Sequence, residues 1–208
     1  MHRTPHPAPS SVEHQRPGHG GVDCVVERAT GLLIGATQVL SPHWDERPTG
    51  ASVDVIVVHG ISLPPGEFGG PWIDRLFCGD LPAAAHPSFA DTATLRVSAH
   101  GLIRRDGSIR QYVPFGARAW HAGRSSWHGR NACNDFSVGI ELEGTDEMPY
   151  ADAQYAALAA LIGALCMVYP GLGVDRVVGH CDVAPGRKSD PGPAFDWPRL
   201  RALLQPLP

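Results

Sequence analysis

Lysine is almost missing from this chain: of its 17 lysines and arginines, only Lys188 is lysine. A generic surface cation is readily arginine. A compact ammonium on a flexible stem has no arginine equivalent, so Lys188 draws attention. Long apolar runs are also missing, and nothing approaches the ~20 residues that span a bilayer. The opening stretch MHRTPHPAPSSVEHQRPGHGG has no apolar core of the kind that leads a chain into secretion. The expected compartment is therefore the cytoplasm. Basic excess is absent, and a net charge of −4 leaves no footprint for nucleic acid or an anionic membrane. The 5 cysteines are odd in number and include no CxxC pair. That excludes a disulfide framework and a cysteine-only zinc knuckle, and most are expected to be small buried hydrophobes.

What remains is an ordinary globular composition, 43% hydrophobic and 18% charged over 208 residues, enough for one domain. Residues 1–21, rich in Pro, His, Ser and Gly, read as a disordered tail, and 22–208 as the folded domain. Residues 22–50 form a lead-in with room for a short edge strand or helix. The run VDVIVV at 53–58 predicts a buried strand, followed by a turn-rich loop and a short helix over 72–78. Segments 96–104 and 108–113 predict strands joined by an Asp106-Gly107 hairpin. Residues 116–135 read as a long irregular loop and 136–142 as a strand. Apolar residues spaced three and four apart mark an amphipathic helix over 152–168, ended by Pro170-Gly171. A strand over 174–178 and a helix over 198–204 follow. The alternation implies an α/β fold, one domain with a central mixed sheet flanked by helices.

Two predicted strands end in histidine, VIVVHG at His59 and RVVGHC at His180, and Asp190 follows ten residues later in GRKSDPGP. Two imidazoles and a carboxylate suit Zn²⁺ and leave a coordination position for water. With 11 histidines in the chain, His100 and His121 are equally plausible ligands on composition. Amide hydrolysis also needs a proton carrier and an oxyanion partner. The strand FSVGIELEG offers Glu141 and Glu143 on one face, and alternation cannot choose between them. Lys188, two residues before Asp190, would sit beside a metal held there.

The segments VVHGISLPPGEFGGPWID, HPSFADTATLRVSAHGLIRRDGSIRQYVPFGARAWHAG, CNDFSVGIELEGTDEMPYADAQYAAL and GHCDVAPGRKSDPGPAFDW carry a further signal. They resemble the AmpD-type 1,6-anhydro-N-acetylmuramoyl-L-alanine amidases of the amidase-2 and peptidoglycan-recognition superfamily. The resemblance runs from about Ser41 to Leu204. It implies zinc ligands at His59, His180 and Asp190, a catalytic glutamate at Glu141 and a catalytic lysine at Lys188. It also implies a cytoplasmic enzyme, expected to be monomeric, that takes small anhydro-muropeptides in cell-wall recycling and feeds β-lactamase regulation in some bacteria. Trp120 is a candidate for packing on the sugar, and Arg96 for a peptide carboxylate.

The chain departs from the family pattern at several positions. Gly60 replaces a common Asn beside the first histidine and bears on substrate contact. Gly101 replaces a Cys, Ala132 an Arg, and Ala151 a Thr that would cap the following helix. Two other readings stay open. One is an autolytic or phage-type amidase on intact wall; the other is a muropeptide receptor that binds without cutting. A receptor typically lacks a zinc ligand, and none is lost here.

Overall fold

In the segment Val55–Ile61 the residues Ile56 and Val58 share one side while Val55, Val57 and His59 share the other, because side chains alternate along a strand. The same alternation in Ser137–Glu143 puts Val138, Ile140 and Leu142 opposite Ser137, Gly139, Glu141 and Glu143. The first set of each strand is wholly apolar and joins one core. The second set carries nearly all the polar groups. One face of the sheet is thus built for packing and the other for chemistry.

The computed structural model describes residues 24–205. The predicted 1–21 tail lies outside them. Six strands form the main sheet: β1 (Thr37–Gln38), β2 (Val55–Ile61), β3 (Gly101–Ile103), β4 (Ile109–Gln111), β5 (Ser137–Glu143) and β6 (Val177–Gly179). Their spatial order is β6-β2-β5-β3-β4-β1. All neighbours are parallel except the β3–β4 hairpin, so the sheet is mixed. Three helices matter for the layers: α1 (Trp72–Cys78), α2 (Asp152–Val168) and α3 (Trp197–Leu204).

Helix α2 lays Tyr155, Leu158, Leu161, Ile162 and Leu165 onto Ile56, Val58, Val138, Ile140 and Leu142, with Leu200 and Leu204 of α3 at its flank. On the other face, α1 packs Ile73, Leu76 and Phe77 against Leu102 and Tyr112. A smaller apolar group of Val55, Val57, Phe136, Val178 and Val183 lies under the site described below. Helices on both faces of a largely parallel sheet give each strand two buried sides.

The helix expectations agree closely with the structure, since α1 and α2 run over the predicted residues and α3 starts one residue earlier. The strands differ more. His59 does not end its strand; it is the fifth of seven residues, because β5 pairs with β2 along the whole length to Ile61. The expected strand over 96–104 shrinks to Gly101–Ile103. Before it, Ser98 N–H bonds to Trp120 and His100 N–H to Gly139, two different partners that make no continuous ladder. The expected strand over 174–178 begins as a 3₁₀ turn and becomes a strand only at Val177. The 116–135 loop holds three two-residue strands: Arg118–Ala119 pairs with Trp44–Asp45, and Ser126–Trp127 with Arg130–Asn131. The lead-in supplies the edge strand β1. Only Cys133 among the cysteines is fully buried, and the other four are partly exposed, which corrects the expectation for most of them.

Candidate active site

Parallel pairing in register sets Glu141 of β5 directly beside His59 of β2, on the polar face. The next strand outward, β6, ends at Gly179, and His180 opens a one-turn helix over His180–Val183. Asp182 of that turn accepts the Gly179 N–H at 2.7 Å, which fixes the change of direction. Asp190 returns from the following loop. Its carbonyl accepts the Cys181 N–H at 3.0 Å, and its peptide bond to Pro191 is cis. The Tyr150 hydroxyl donates to the Pro191 carbonyl at 3.0 Å and anchors this return from the other side.

The three side chains converge. His59 Nδ1 lies 3.0 Å from His180 Nδ1 and 3.2 Å from Asp190 Oδ2, and His180 Nδ1 lies 3.0 Å from the same oxygen. Both histidines are buried, and Asp190 is 16% exposed. Ligand atoms around a tetrahedral zinc with bonds of ~2.05 Å stand roughly 3.3 Å apart, so these separations suit one ion. The donor chemistry points the same way. His180 Nε2 faces the Ala122 carbonyl at 3.3 Å, a group that can only accept. The ring proton therefore sits on Nε2, and Nδ1 turns a lone pair toward the other two groups. Burial first of all pushes His59 down to about 4, and the two histidines hold Asp190 well below the usual carboxylate range against its own burial. Crowding of lone pairs around a carboxylate is stable when a cation sits between them. Among the described residues this is the cluster with metal-ligand spacing.

The two glutamates left open by alternation separate cleanly. Glu143 is bound from all sides: Arg104 Nη1 donates to it at 2.7 Å, Gly69 N–H at 2.9 Å and Arg105 N–H at 3.3 Å. Glu141 is 8% exposed, and its carboxylate makes no hydrogen bond with a described residue. Burial and the neighbouring Asp190 push its carboxyl well above the ordinary range, while Lys188 pulls the other way. A buried carboxyl with no structural partner and a raised pKa is suited to exchange protons. Lys188 is exposed, and its charge is felt at both His59 and Glu141.

The remaining candidates are placed less centrally. Trp120 donates its indole N–H to Asp45 at 3.1 Å and stacks on His43, with ring centroids 6.0 Å apart. Arg96 is exposed and makes no hydrogen bond with a described residue. Its segment reaches Trp120 through the Ser98 N–H to Trp120 carbonyl bond. At Gly60 a Cβ would lie 2.3 Å from the Tyr150 hydroxyl, so packing alone accounts for a glycine there. His100 and His121 are not in the three-residue cluster. His121 Nδ1 lies 2.9 Å from His59 Nε2, on the side of the ring away from Asp190. His100 is farther back, with its Nδ1 accepting the Gly139 N–H at 3.0 Å. Sequence reasoning missed Tyr150 and Gly139. A glycine in the middle of an apolar strand is the one signal that pointed to a close approach there.

A mixed sheet presenting two imidazoles, a carboxylate and an unpaired buried glutamate suits metal-assisted hydrolysis, and the comparisons give the class. The chain belongs to the N-acetylmuramoyl-L-alanine amidase family, whose sequence profile matches residues 49–193. Within it, the chain is 62% identical over 174 residues to the 1,6-anhydro-N-acetylmuramyl-L-alanine amidase AmpD of Escherichia coli, covering 84% of this chain and 94% of that one. A crystal structure of a selenomethionine AmpD derivative superposes with a TM-score of 0.82 at 61% identity, over 84% of this chain and 97% of that one. A more distant neighbour is the amidase AmiD of E. coli, solved with the substrate anhydro-N-acetylmuramic acid-L-Ala-D-gamma-Glu-L-Lys. It has a TM-score of 0.55 and 29% identity over 76% of this chain and 60% of that one.

Proposed function

We propose that the protein is a zinc-dependent amidase that cleaves the amide between anhydro-N-acetylmuramic acid and L-alanine in small muropeptides, releasing the stem peptide during cell-wall recycling in the cytoplasm. The observation that carries this reading is the convergence of His59, His180 and Asp190 within about 3 Å of one another beside a glutamate that no other residue occupies. The names of the relatives support the substrate, and no helix of the described residues is long and apolar enough to cross a membrane.

His59, His180 and Asp190 would hold the ion. Zinc in such a site polarises a carbonyl and makes water acidic near neutral pH. The residues of the chain do the rest. Glu141, desolvated and unpaired, takes a proton from the attacking water and returns it to the leaving alanine nitrogen. One group thereby serves as base and then as acid. Lys188 places its ammonium where negative charge grows on the carbonyl oxygen. Arg96 and Trp120 are assigned to the peptide carboxylate and the sugar. The enzyme acts as a monomer on one small ligand.

The test pairs metal analysis with product detection. Purified protein should carry one zinc per chain and release free stem peptide, seen by mass spectrometry, from soluble anhydro-muropeptide. Faster release from intact sacculi than from the soluble compound would turn the assignment toward an autolytic enzyme. Binding without release would turn it toward a receptor.

A further inference from the structure

Behind the cluster runs a chain of hydrogen bonds whose direction can be read from its far end. The Ser137 hydroxyl lies 2.6 Å from the Cys133 carbonyl oxygen, which can only accept, so the hydroxyl proton is spent there. Ser137 Oγ is also 3.1 Å from His121 Nε2 and, having no proton left, must accept from it. His121 then carries its proton on Nε2 and presents a bare Nδ1. That Nδ1 is 2.9 Å from His59 Nε2, so His59 must be the donor. The ring of His59 is left with its proton on Nε2 and a lone pair on Nδ1, the atom facing His180 and Asp190. His180 reaches the same tautomer through the Ala122 carbonyl.

We infer that His121 is a positioning residue for the metal centre: by accepting the Nε2–H of His59 it holds that ring in the one tautomer and orientation that turn Nδ1 toward the ion. The inference rests on the zinc site of the proposed function and adds to it a residue that touches neither metal nor substrate. Ligand imidazoles gain affinity when their second nitrogen is tied to an acceptor. An uncharged imidazole in that role is itself fixed only if something directs it, and Ser137 does so here. The fold makes room for the arrangement. His121 packs on Gly139 of β5, where a Cβ would sit 2.3 Å from the imidazole Cγ. The rings of His59 and His121 meet edge to face at 88°, with centroids 5.1 Å apart.

The experiment measures zinc affinity by competition with a chromophoric chelator, and the tautomer of His59 by ¹⁵N NMR of the zinc-free protein, in wild type and three variants. His121→Phe removes the acceptor and should weaken zinc binding roughly 10–100-fold, with the His59 signal becoming a mixture of tautomers. His121→Asn keeps an acceptor near the place of Nδ1 and should recover most of the affinity. Ser137→Ala frees His121 to protonate either nitrogen and should cost a severalfold loss. Melting of the zinc-free variants separates general damage from loss of positioning. Wild-type-like affinity and a single Nε2–H tautomer in His121→Phe would overturn the inference. If that variant does not fold, the same result in Ser137→Ala overturns it. A wild-type protein that binds no zinc would instead sink the proposed function, and this inference with it.

Discussion

Glu141 sits on a central strand, 8% exposed, with an aspartate and a lysine close enough to act on its charge and no hydrogen bond to either of its oxygens. Burial and Asp190 raise its pKa, so the folded state prefers the protonated form. The sign of the linkage follows. The contribution of Glu141 to stability is fully present below its unfolded pKa and is lost as pH rises through the higher folded value. Above the unfolded value the fold therefore carries a cost at Glu141 that a neutral isostere does not. Glu141→Gln is expected to raise the melting temperature by about 2–4 °C, corresponding to ~1 kcal/mol in a chain of this size. The same change should lower turnover about 10²–10⁴-fold with zinc still bound. Calorimetry beside a stem-peptide release assay checks both. Near-normal turnover would remove Glu141 from proton transfer. Glu143, two residues on, is the internal contrast, since the Arg104 guanidinium pairs with it and the backbone N–H groups of Gly69 and Arg105 bind its oxygens. Nothing in the strand sequence distinguishes the two carboxylates, because their difference is made by partners 38 to 74 residues away.

The elements differ in how much of themselves they announce. Helix α2 was legible to its end residues because seventeen positions repeat one pattern and a Pro-Gly pair stops it. The short strands were not, because the extent of β2 and β3 is decided by how far β5 runs alongside them. The triad was readable as residues with suitable chemistry, whereas the backs of those residues were not. His121 and Tyr150 matter through contacts that no local pattern encodes, and Gly139 signals a close approach without saying which side chain makes it. Two element-level expectations follow. Ala151 occupies the N-cap of α2 and offers no acceptor, yet Gln154 returns its Oε1 to the Ala151 N–H at 3.0 Å, half of a capping box. Ala151→Ser should supply the other half and add about 1 kcal/mol, seen as a higher urea midpoint at constant slope. Gly139→Ala should do the reverse. A glycine in mid-strand ordinarily weakens it, but here the added methyl would collide with the His121 ring. Overpacking of that kind costs about 1–3 kcal/mol, and urea unfolding together with zinc affinity should both record it.

Over the whole molecule, the same polar face that holds the site sets the response to acid. His59 and His100 are buried, and burial is the largest cause holding them near 4 and near 3. His121 is shifted down in the same sense. These rings stay neutral in the fold while the unfolded chain protonates its histidines below about pH 6.5. The unfolded state then binds more protons, so stability falls as pH drops from about 6.5 toward the folded values. Asp190 acts in the same direction at lower pH. Its pKa is depressed, so its contribution is present above the ordinary carboxylate range and disappears below it. Glu141 has the opposite sign but is one group against several. Each buried histidine adds a slope approaching ~1.4 kcal/mol per pH unit. The zinc-free protein should therefore lose roughly 3 kcal/mol or more per unit near pH 5. Zinc adds about 2.7 kcal/mol at a free concentration 100 times its Kd. It needs the same nitrogens and carboxylate bare, so protons compete with it. Urea titrations at pH 7.5, 6.0, 5.0 and 4.0, with EDTA and with zinc, should show a wide gap between the two conditions at pH 7.5 that narrows as pH falls toward about 4, where the His59 nitrogen takes up its proton in the fold. A gap that stays constant down to pH 4 would mean that the stabilising ion is not held by His59, His180 and Asp190, because a proton arriving on the ligand nitrogen of His59 has to displace it.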